Sequence, residues 1–329
     1  MKPQGALVSP NYEVDPRWPA IPEGWDLVET AGVATDSNDR IYVFNRGEHP
    51  VIVFERDGSF VTSWGEGEFQ RAHGIHIGPD DTIYLTDDLD HTVHKYTTDG
   101  KRLATLGESG KPSDTGVENS DYRTIKRASG PFNQPTNIAL TPAGEMYVTD
   151  GYGNARVHKF SAQQELISSW GVPGNAPGQF NLPHGIAIDS RGVVYVADRE
   201  NDRLQLFEPE GAFIAEWTQV SRPAQVFIDP DDRIYVAEIG WRVGLFPGVE
   251  PLDPVGAYVS VLDPDGNVLD RWGGGEDPCE PGAFYAPHDI WVDRFGDIYV
   301  GEVTWSAGGR KGLIPKDCPS VQKFVRKSS

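Results

Sequence analysis

The hydrophobic and polar positions of this chain alternate in short runs that end at turn residues. The segment from Gly185 to Phe207 shows the pattern, because its apolar runs in GIAIDSRGVVYVADRENDRLQLF are separated by the polar turns DSRG and DREND. Apolar runs of about five residues bounded by Gly, Asn, Asp or Pro are typical of antiparallel strands joined by tight turns. The pattern predicts β-meanders.

The same pattern occurs six times along the chain. The copies begin at Gly32, Gly74, Asn137, Gly185, Gln225 and Asp289. Each has an apolar strand, a turn, a strand with a Tyr-hydrophobic pair, a variable loop and a third strand. A fourth strand, often ending in Trp-Gly, completes most copies. Four strands in a repeat of about 40 residues or more indicate propeller blades. We therefore predict an all-β, six-bladed β-propeller that forms one domain over residues 1–329.

The last copy lacks a fourth strand of its own. The N-terminal segment, somewhere within residues 12–27, is predicted to supply that strand and close the ring. Three long insertions, at about residues 108–132, 239–255 and 304–319, all leave the blades on the same face of the ring. Long loops on a rigid scaffold either build a functional pocket or reflect tolerated changes in length, and both interpretations stay open here.

Histidine recurs at one phase of the repeat. The residues just before the six first strands are Ala31, His73, Thr136, His184, Ala224 and His288. First strands line the channel of a propeller and alternate blades stand about 120° apart, so the three imidazoles converge on the axis. Three neutral imidazoles with an open fourth position form a zinc site, and they also suit other divalent transition metals. The alternative is three turn histidines that cap loop carbonyls, and the regular phase favours the metal site.

Three more side chains follow the second strands and open on the same face. They are Arg46, Tyr152 and Arg199. Nearby positive charge favours the anionic form of a phenol, so Tyr152 is a candidate general base. The guanidinium fork of an arginine suits a carboxylate. The alternative for the arginines is simple pairing with acidic surface residues.

Several sequence blocks carry a family resemblance from about Gly32 to Phe324. The blocks RAHGIHI, MYVTDGYGNAR, GQFNLPHGIAI, ADREN and APHDIWVD resemble the peptidyl-α-hydroxyglycine α-amidating lyases, which are six-bladed propellers of the NHL-repeat type. The resemblance implies a catalytic zinc on His73, His184 and His288. It also implies a catalytic Tyr152 with active-site Arg46 and Arg199. It further implies a structural calcium held by the carboxylate of Asp289 and the backbone carbonyls of Val33 and Ile75.

The reaction implied by the resemblance is a metal-assisted elimination. The C–N bond of an α-hydroxyglycine carbinolamide breaks, and an amide and glyoxylate are released. Two cysteines of animal members are replaced by Gly153 and Val194, and a pocket methionine by Ala286. The sequence also shows no companion hydroxylase domain, which in the family normally makes the peptide substrate, so a small-molecule or short peptide-like substrate is expected. The alternatives are a metal-dependent hydrolase, hydratase or lactonase, and a non-catalytic NHL propeller that binds protein.

The composition limits which classes of partner and which cellular compartment can be expected. The formal net charge is −20, and such a surface repels nucleic acid and anionic membrane. No apolar run approaches the roughly 20 residues of a membrane helix, and the first residues lack the apolar stretch of a secretory signal. A cytoplasmic location is therefore predicted. The two cysteines, Cys279 and Cys318, are predicted to be reduced thiols in preference to a single surface bridge.

Overall fold

The computed structural model describes residues 9–241, 256–275 and 277–327. Within these ranges, 24 strands form six antiparallel sheets of four strands each. Short helical turns occur only in loops, and no described helix has both the length and the hydrophobicity that crossing a membrane requires.

The strands follow one another blade by blade. The chain begins with β1 (Tyr12–Val14), which belongs to the last blade. Blade 1 contains β2 (Thr30–Thr35), β3 (Ile41–Asn45), β4 (Val51–Phe54) and β5 (Phe60–Trp64). Blade 2 contains β6 (Ala72–Ile77), β7 (Ile83–Asp87), β8 (Thr92–Tyr96) and β9 (Arg102–Leu106). Blade 3 contains β10 (Pro135–Leu140), β11 (Met146–Asp150), β12 (Arg156–Phe160) and β13 (Leu166–Trp170).

The second half repeats this order. Blade 4 contains β14 (Pro183–Ile188), β15 (Val194–Asp198), β16 (Arg203–Phe207) and β17 (Phe213–Trp217). Blade 5 contains β18 (Pro223–Ile228), β19 (Ile234–Glu238), β20 (Tyr258–Leu262) and β21 (Val268–Gly273). Blade 6 contains β22 (Pro287–Val292), β23 (Ile298–Glu302) and β24 (Val321–Arg326). The short helix α1 (Thr304–Ala307) and a 3₁₀ turn (Gly309–Lys311) lie between β23 and β24.

The ring closes as the sequence predicts. Strand β1 pairs with β24, so that blade 6 has the order β1-β24-β23-β22. Each first strand contacts the first strands of both neighbouring blades, and β22 of blade 6 contacts β2 of blade 1. The Tyr12 ring of β1 also stacks on Trp272 of blade 5, with ring centroids 5.4 Å apart. The all-β, six-bladed propeller closed by an N-terminal strand is confirmed.

Tryptophans at the ends of fourth strands pack against the next blade. Trp170 lies against the turn of blade 4 that contains Gly211, whose φ is +90°. A Cβ at Gly211 would approach Trp170 to 2.5 Å, so glycine is needed there both for the left-handed backbone and for space. Equivalent pairs are Trp64 with Gly100 and Trp217 with Gly266. These contacts fix how neighbouring blades stack.

Acidic side chains at the ends of second strands tie down the loops that lead into the first strands. In blade 2 the carboxylate of Asp87 accepts hydrogen bonds from the backbone N–H groups of Gln70 and Arg71. The equivalent pairs in later blades are Asp150 with Asn133, Asp198 with Asn181, Glu238 with Ser221, and Glu302 with Tyr285. The residues at the channel opening are therefore held by buried, charge-assisted hydrogen bonds.

The two cysteines form a disulfide, so the prediction of reduced thiols is wrong. Cys318 is buried against Tyr285 and Ala286, and Cys279 packs against the same cluster. The two cysteines have a sequence separation of 39, and the chain between them folds back, so that two loops meet in a way that spacing along the chain does not reveal. Disulfides persist mainly in oxidising compartments. The bond therefore weighs against the cytoplasmic location, which stays a prediction.

Candidate metal centre

A β-bulge places each of the three predicted histidines. In blade 2 the ladder pairs Ala72 with Asp87 and then Ile75 with Leu85, so β6 has one extra residue at this point. The ladders of blades 4 and 6 shift in the same way. The sequence placed the histidines just before the strands, whereas each is the second residue of its strand. Bulges re-aim side chains and interrupt ladder pairing, which turns these imidazoles toward the axis.

The three imidazoles form a nearly equilateral triangle. The ring centroids of His73 and His184 lie 4.8 Å apart, and the ring centroid of His288 lies 4.7 Å from each of them. One nitrogen from each ring lies within 4.8 Å of the others. All three side chains are buried. The structure therefore brings together the three histidines that the sequence selected.

Each imidazole is oriented by the neighbouring blade. Its Nδ1 lies at hydrogen-bond distance from the carbonyl oxygen at the same bulge position of the next blade. The pairs are His73 with Thr136 (2.6 Å), His184 with Ala224 (2.7 Å) and His288 with Ala31 (2.7 Å). Because a carbonyl oxygen can only accept, Nδ1 carries the proton and Nε2 keeps its lone pair. The six bulge positions thus alternate between an imidazole donor and a carbonyl acceptor.

The inward nitrogens have the properties of metal ligands. Nε2 of His288 is buried and has no hydrogen-bond partner among the described residues. Burial, followed by neighbouring positive charge, lowers the pKa of all three imidazoles well below 6.5, so they are neutral at pH 7. An unsatisfied buried polar atom costs about 1–3 kcal/mol. Three neutral Nε2 atoms around one point fit zinc or a related divalent ion, which would satisfy them.

Tyr152 lies over this triangle. Its hydroxyl oxygen is 3.3 Å from Nε2 of His73, 3.2 Å from Nε2 of His184 and 3.2 Å from a terminal nitrogen of Arg199. Since Arg199 can only donate, the tyrosine oxygen accepts from it. The hydroxyl therefore adjoins both the candidate metal position and a fixed positive charge.

The two glycines beside Tyr152 explain its position. A Cβ at Gly151 would collide with the backbone of Pro183, the residue before His184, and one at Gly153 would collide with Asn133. The N–H of Tyr152 also donates to the carbonyl of Gln134 at 3.3 Å. The backbone on both sides of Tyr152 thus lies in close contact with neighbouring loops. Only glycine, which has no Cβ, leaves enough space at these two positions.

Arg199 belongs to a buried charge network. Its Nε donates to the Glu200 carboxylate at 2.8 Å, and Arg222 donates to the same oxygen at 2.6 Å. The hydroxyl of Tyr122, from the insertion after blade 2, donates to the other oxygen at 3.3 Å. Burial opposes ionisation of Glu200, but the two arginines outweigh it and hold its pKa below the usual value. Glu200 was not predicted from the sequence, although it adjoins Arg199.

Two further arginines complete the surroundings. Arg46 donates to the carbonyl of Ala72 at 2.7 Å and to the buried Glu29 at 2.8 Å. Arg71, which was also not predicted from the sequence, forms a bidentate pair with Asp88 and lies 5.6 Å from the centre of the Tyr152 ring. Its position two residues before His73 was the available signal. The two predicted arginines and Arg71 therefore all border the site.

A cavity of about 830 Å³ opens above the triangle. Its walls include Tyr122 from the insertion at 108–132 and Trp305 from the insertion at 304–319. These two insertions therefore build a pocket. Ile239 also lines the cavity, whereas most of the third insertion lies outside the described residues.

One residue deeper in the channel lies the buried carboxylate of Asp289. It accepts the backbone N–H of Val33 at 3.0 Å, and burial raises its pKa to about 7. A Cβ at Gly32 would approach Ile75 to 2.7 Å and the carboxylate to 3.1 Å, so these backbones converge on Asp289. The structure brings together Asp289, Val33 and Ile75, the three residues predicted to bind calcium. Asp289 contacts Val33 through the amide N–H of Val33, whereas the prediction named the carbonyl oxygen. Buried carboxylates are usually paired or bound to a cation.

The other five histidines have structural surroundings. His76 lies in the channel, edge-on to Trp291 at 5.6 Å, and burial lowers its pKa to about 4. Each of the remaining four histidines has a hydrogen-bond partner within the protein. These four are His49, His91, His94 and His158. His94 also clusters with Asp87 and Asp90, but Asp87 already accepts backbone N–H groups there.

Comparisons with known proteins agree with this architecture. The NHL-repeat family profile matches residues 132–160 and 180–207, which contain the first three strands of blades 3 and 4. NHL repeat-containing protein 3 of Mus musculus is 30% identical over 317 residues, covering 90% of this chain and 83% of that protein. Streptogramin B lyase has a TM-score of 0.61 at 14% identity, covering 96% of this chain and 98% of that one, which shows the fold alone.

Two relatives have names that describe a reaction. Peptidyl-alpha-hydroxyglycine alpha-amidating lyase 2 of Drosophila melanogaster is 27% identical over 262 residues, covering 78% of this chain and 58% of that one. Peptidylglycine alpha-amidating monooxygenase of Rattus norvegicus is 28% identical over 308 residues and 83% of this chain, which spans only 29% of that protein. The chain therefore belongs to the NHL-repeat family of six-bladed β-propellers, within the group that resembles the peptidyl-α-hydroxyglycine α-amidating lyases.

Proposed function

We propose that this chain is a metal-dependent carbon–nitrogen lyase that cleaves an α-hydroxyglycine-type carbinolamide into an amide and glyoxylate. One observation carries the proposal. The Tyr152 hydroxyl lies within 3.3 Å of two of the three inward histidine nitrogens and 3.2 Å from Arg199. A base, a cation and a three-nitrogen metal position thus meet at one point. The relatives named as amidating lyases support the same reaction.

The protein residues divide the chemistry between them. His73, His184 and His288 would hold the ion, which would supply Lewis-acid stabilisation of negative charge on the substrate oxygen. Tyr152, as phenolate, accepts the proton of the substrate hydroxyl. The carbon–oxygen double bond forms while the C–N bond breaks, and its electron pair passes to nitrogen. Tyr152 then returns the proton to that nitrogen, so the amide and glyoxylate leave without any further reactant.

The arginines hold charge in place during this cycle. Arg199 donates to the Tyr152 oxygen, and Arg71 lies over the ring, so both place positive charge beside the proposed base. Arg46, fixed by Glu29 and a backbone carbonyl, is the proposed partner of the glyoxylate-forming carboxylate. Because their own partners are buried, these groups need little rearrangement, and preorganised charge is a large contribution to catalysis.

The substrate is proposed to be a small or short peptide-like molecule, since the cavity holds about 830 Å³. We also propose a structural calcium at Asp289, because a buried carboxylate in a channel of converging backbones suits a hard cation. Addition of calcium should raise the melting temperature of the wild type, and Asp289→Asn should abolish the rise. An equal rise in both proteins would remove the calcium proposal.

The reaction is tested with α-hydroxyhippurate, which releases benzamide and glyoxylate on cleavage. Zinc-loaded wild-type protein should form both products in equal amounts, and the protein stripped by chelation should not. Hippurate, which lacks the hydroxyl, is the control substrate. Metal-loaded, folded protein that releases no glyoxylate from α-hydroxyhippurate or from small N-acyl-α-hydroxyglycines would refute the lyase proposal.

A further inference from the structure

The side chain of Gln134 is an unpartnered amide beside the candidate site. Gln134 is 3% exposed, and its Oε1 is buried without a hydrogen-bond partner among the described residues. The backbone of this residue is fully used, since its N–H donates to Nδ1 of His91 at 3.0 Å and its carbonyl accepts the N–H of Tyr152 at 3.3 Å. The main chain is therefore held in place, and the orphaned group is the side-chain oxygen.

Gln134 occupies a repeat position that borders the cavity. It stands two residues before Thr136, the bulge residue of blade 3, just as Arg71 stands two residues before His73 in blade 2. Both Gln134 and Arg71 line the cavity above the histidine triangle. Because the Gln134 backbone is hydrogen-bonded to Tyr152, the unpartnered amide lies close to the proposed base.

The backbone conformation does not explain a glutamine at this position. The φ angle of Gln134 is +60°, in the left-handed region, which glycine and asparagine adopt at lower cost than glutamine. Burial of a polar side chain without a partner adds a second cost, because its hydrogen bonds to water are lost on folding. A residue that is unfavourable in both respects points to a role in function.

The neighbouring cations are already committed to acidic partners. Arg46 pairs with Glu29, Arg71 with Asp88, and Arg199 with Glu200. The terminal torsion of a glutamine is soft, so the Gln134 oxygen can turn toward the cavity while the backbone stays fixed.

Gln134 also borders a second cavity of about 440 Å³, next to His91 and the insertion at 108–132. Its oxygen can therefore be satisfied by a ligand in the first cavity or by water in the second. The two cases give different binding preferences, because only the first makes the oxygen part of a ligand site.

We infer that Oε1 of Gln134 accepts a hydrogen bond from the N–H of the scissile amide of the substrate. The inference rests on the proposed lyase function for the identity of that amide. The bond holds the substrate nitrogen beside Tyr152, which returns the proton to it after the C–N bond breaks. The substrate class is then restricted to carbinolamides that carry an N–H, and the product is a primary amide. An N-alkylated analogue leaves the glutamine oxygen unsatisfied and is rejected for that reason.

The binding test compares two unreactive ligands that differ by one group. Hippurate carries the amide N–H, whereas β-benzoylpropionate has a methylene in its place and keeps the benzoyl and carboxylate groups. Calorimetry on zinc-loaded wild-type protein should show roughly tenfold tighter binding of hippurate, because the ketone covers the glutamine oxygen without offering a donor.

Three variants assign this preference to one side chain. Gln134→Met keeps a similar shape without the amide oxygen and should bind both ligands about equally. Gln134→Glu keeps an acceptor at the same place and should retain the preference for hippurate, although its negative charge weakens the binding of both ligands. Gln163→Met makes the same substitution at an exposed turn outside the cavity and should leave the preference unchanged.

Equal affinities of the two ligands for the wild type, or no detectable binding of either, would overturn the inference. So would a full preference for hippurate in the Gln134→Met variant. The lyase function is tested separately, by following glyoxylate release from α-hydroxyhippurate. A hippurate preference that depends on Gln134, without any release of glyoxylate, would refute the lyase proposal and leave the amide-binding role established. Release of glyoxylate by a wild type that binds both ligands equally would refute the role of Gln134 alone.

Discussion

Nδ1 of His184 lies 2.7 Å from the carbonyl oxygen of Ala224, which occupies the same repeat position in the next blade. The same relationship links the other two histidines to their neighbouring blades. Such outer contacts fix the tautomer and the ring orientation of metal-binding histidines. Here they come from the backbone, so no side chain other than the histidine has to be specified at this position.

Replacement of His184 by alanine should remove the metal. The wild type is expected to bind about one transition-metal ion per chain, because three inward nitrogens form one site. Two nitrogens bind far more weakly, so elemental analysis of the dialysed variant should show little metal. Circular dichroism should still show a β-rich fold, since the blades do not depend on this side chain for pairing.

His76→Ala is the matched control for this experiment. It removes another channel imidazole, which is half-buried and faces Trp291 instead of the triangle. The control should retain its metal. A wild type without metal, or a His184→Ala variant with full metal content, would contradict the assignment of the metal centre.

Tyr152→Phe should abolish most of the activity without loss of the metal. The variant keeps the ring beneath Arg71 and removes only the hydroxyl that contacts His73, His184 and Arg199. A positioned general base contributes about 10²–10⁴-fold, so kcat should fall by this factor while KM changes little. Tyr122→Phe, which alters a second cavity tyrosine, should have a much smaller effect. Comparable kcat values for the Tyr152→Phe variant and the wild type would exclude the proposed base.

Acid should destabilise the fold partly through His76. Burial lowers the pKa of His76 to about 4 in the folded state, against about 6.5 in an unfolded chain. Between these values the unfolded state binds a proton that the folded state does not. The free energy of unfolding therefore falls as the pH drops from 6.5 to 4, by up to about 1.4 kcal/mol per pH unit for this group.

His76→Phe removes this titration and keeps an aromatic ring against Trp291. Denaturant unfolding at several pH values should therefore show a shallower acid dependence for the variant. Below about pH 4 the two dependences should become parallel, because His76 is then protonated in both states. Identical slopes between pH 6.5 and 4 would show that His76 titrates normally.

Loss of the disulfide should lower stability but spare the metal. Cys279 and Cys318 close a loop with a sequence separation of 39 residues. A native bridge of this kind contributes about 2–4 kcal/mol, so a Cys279→Ala/Cys318→Ala variant should unfold at lower denaturant concentration. Mass spectrometry after alkylation without reductant should find no free thiol in the wild type. Two alkylated cysteines in the native protein would instead restore the sequence prediction of reduced thiols.

The repeat phase was sufficient to select the three histidines, because a propeller converts equal phase into equal radial position. It was not sufficient for Arg71, whose contact with Tyr152 joins separate loops at the channel opening. Nor was it sufficient for Glu200, whose contacts with Arg222 and Tyr122 also join separate loops. The carbonyl partners of the histidines also escaped prediction. Those hydrogen bonds cross between blades, and a backbone oxygen carries no residue-specific signal.

The insertions and the cysteines show a related limit. Length alone left the function of residues 108–132 open, whereas the position of Tyr122 beside Glu200 shows that this segment forms a wall of the cavity. Pairing of Cys279 with Cys318 likewise depends on two loops that meet outside the repeat pattern. Repeats predict what is periodic in a molecule, whereas these contacts arise where the chain departs from the period.

The alternation of imidazole and carbonyl around the axis imposes a parity rule. A blade whose histidine donates a hydrogen bond at the bulge needs a next blade whose carbonyl accepts it. Donating and accepting blades can alternate around a closed ring only when the number of blades is even. An odd-membered ring would set two donors or two acceptors side by side. Gain or loss of one blade by duplication would therefore break the site, whereas paired changes would preserve its order.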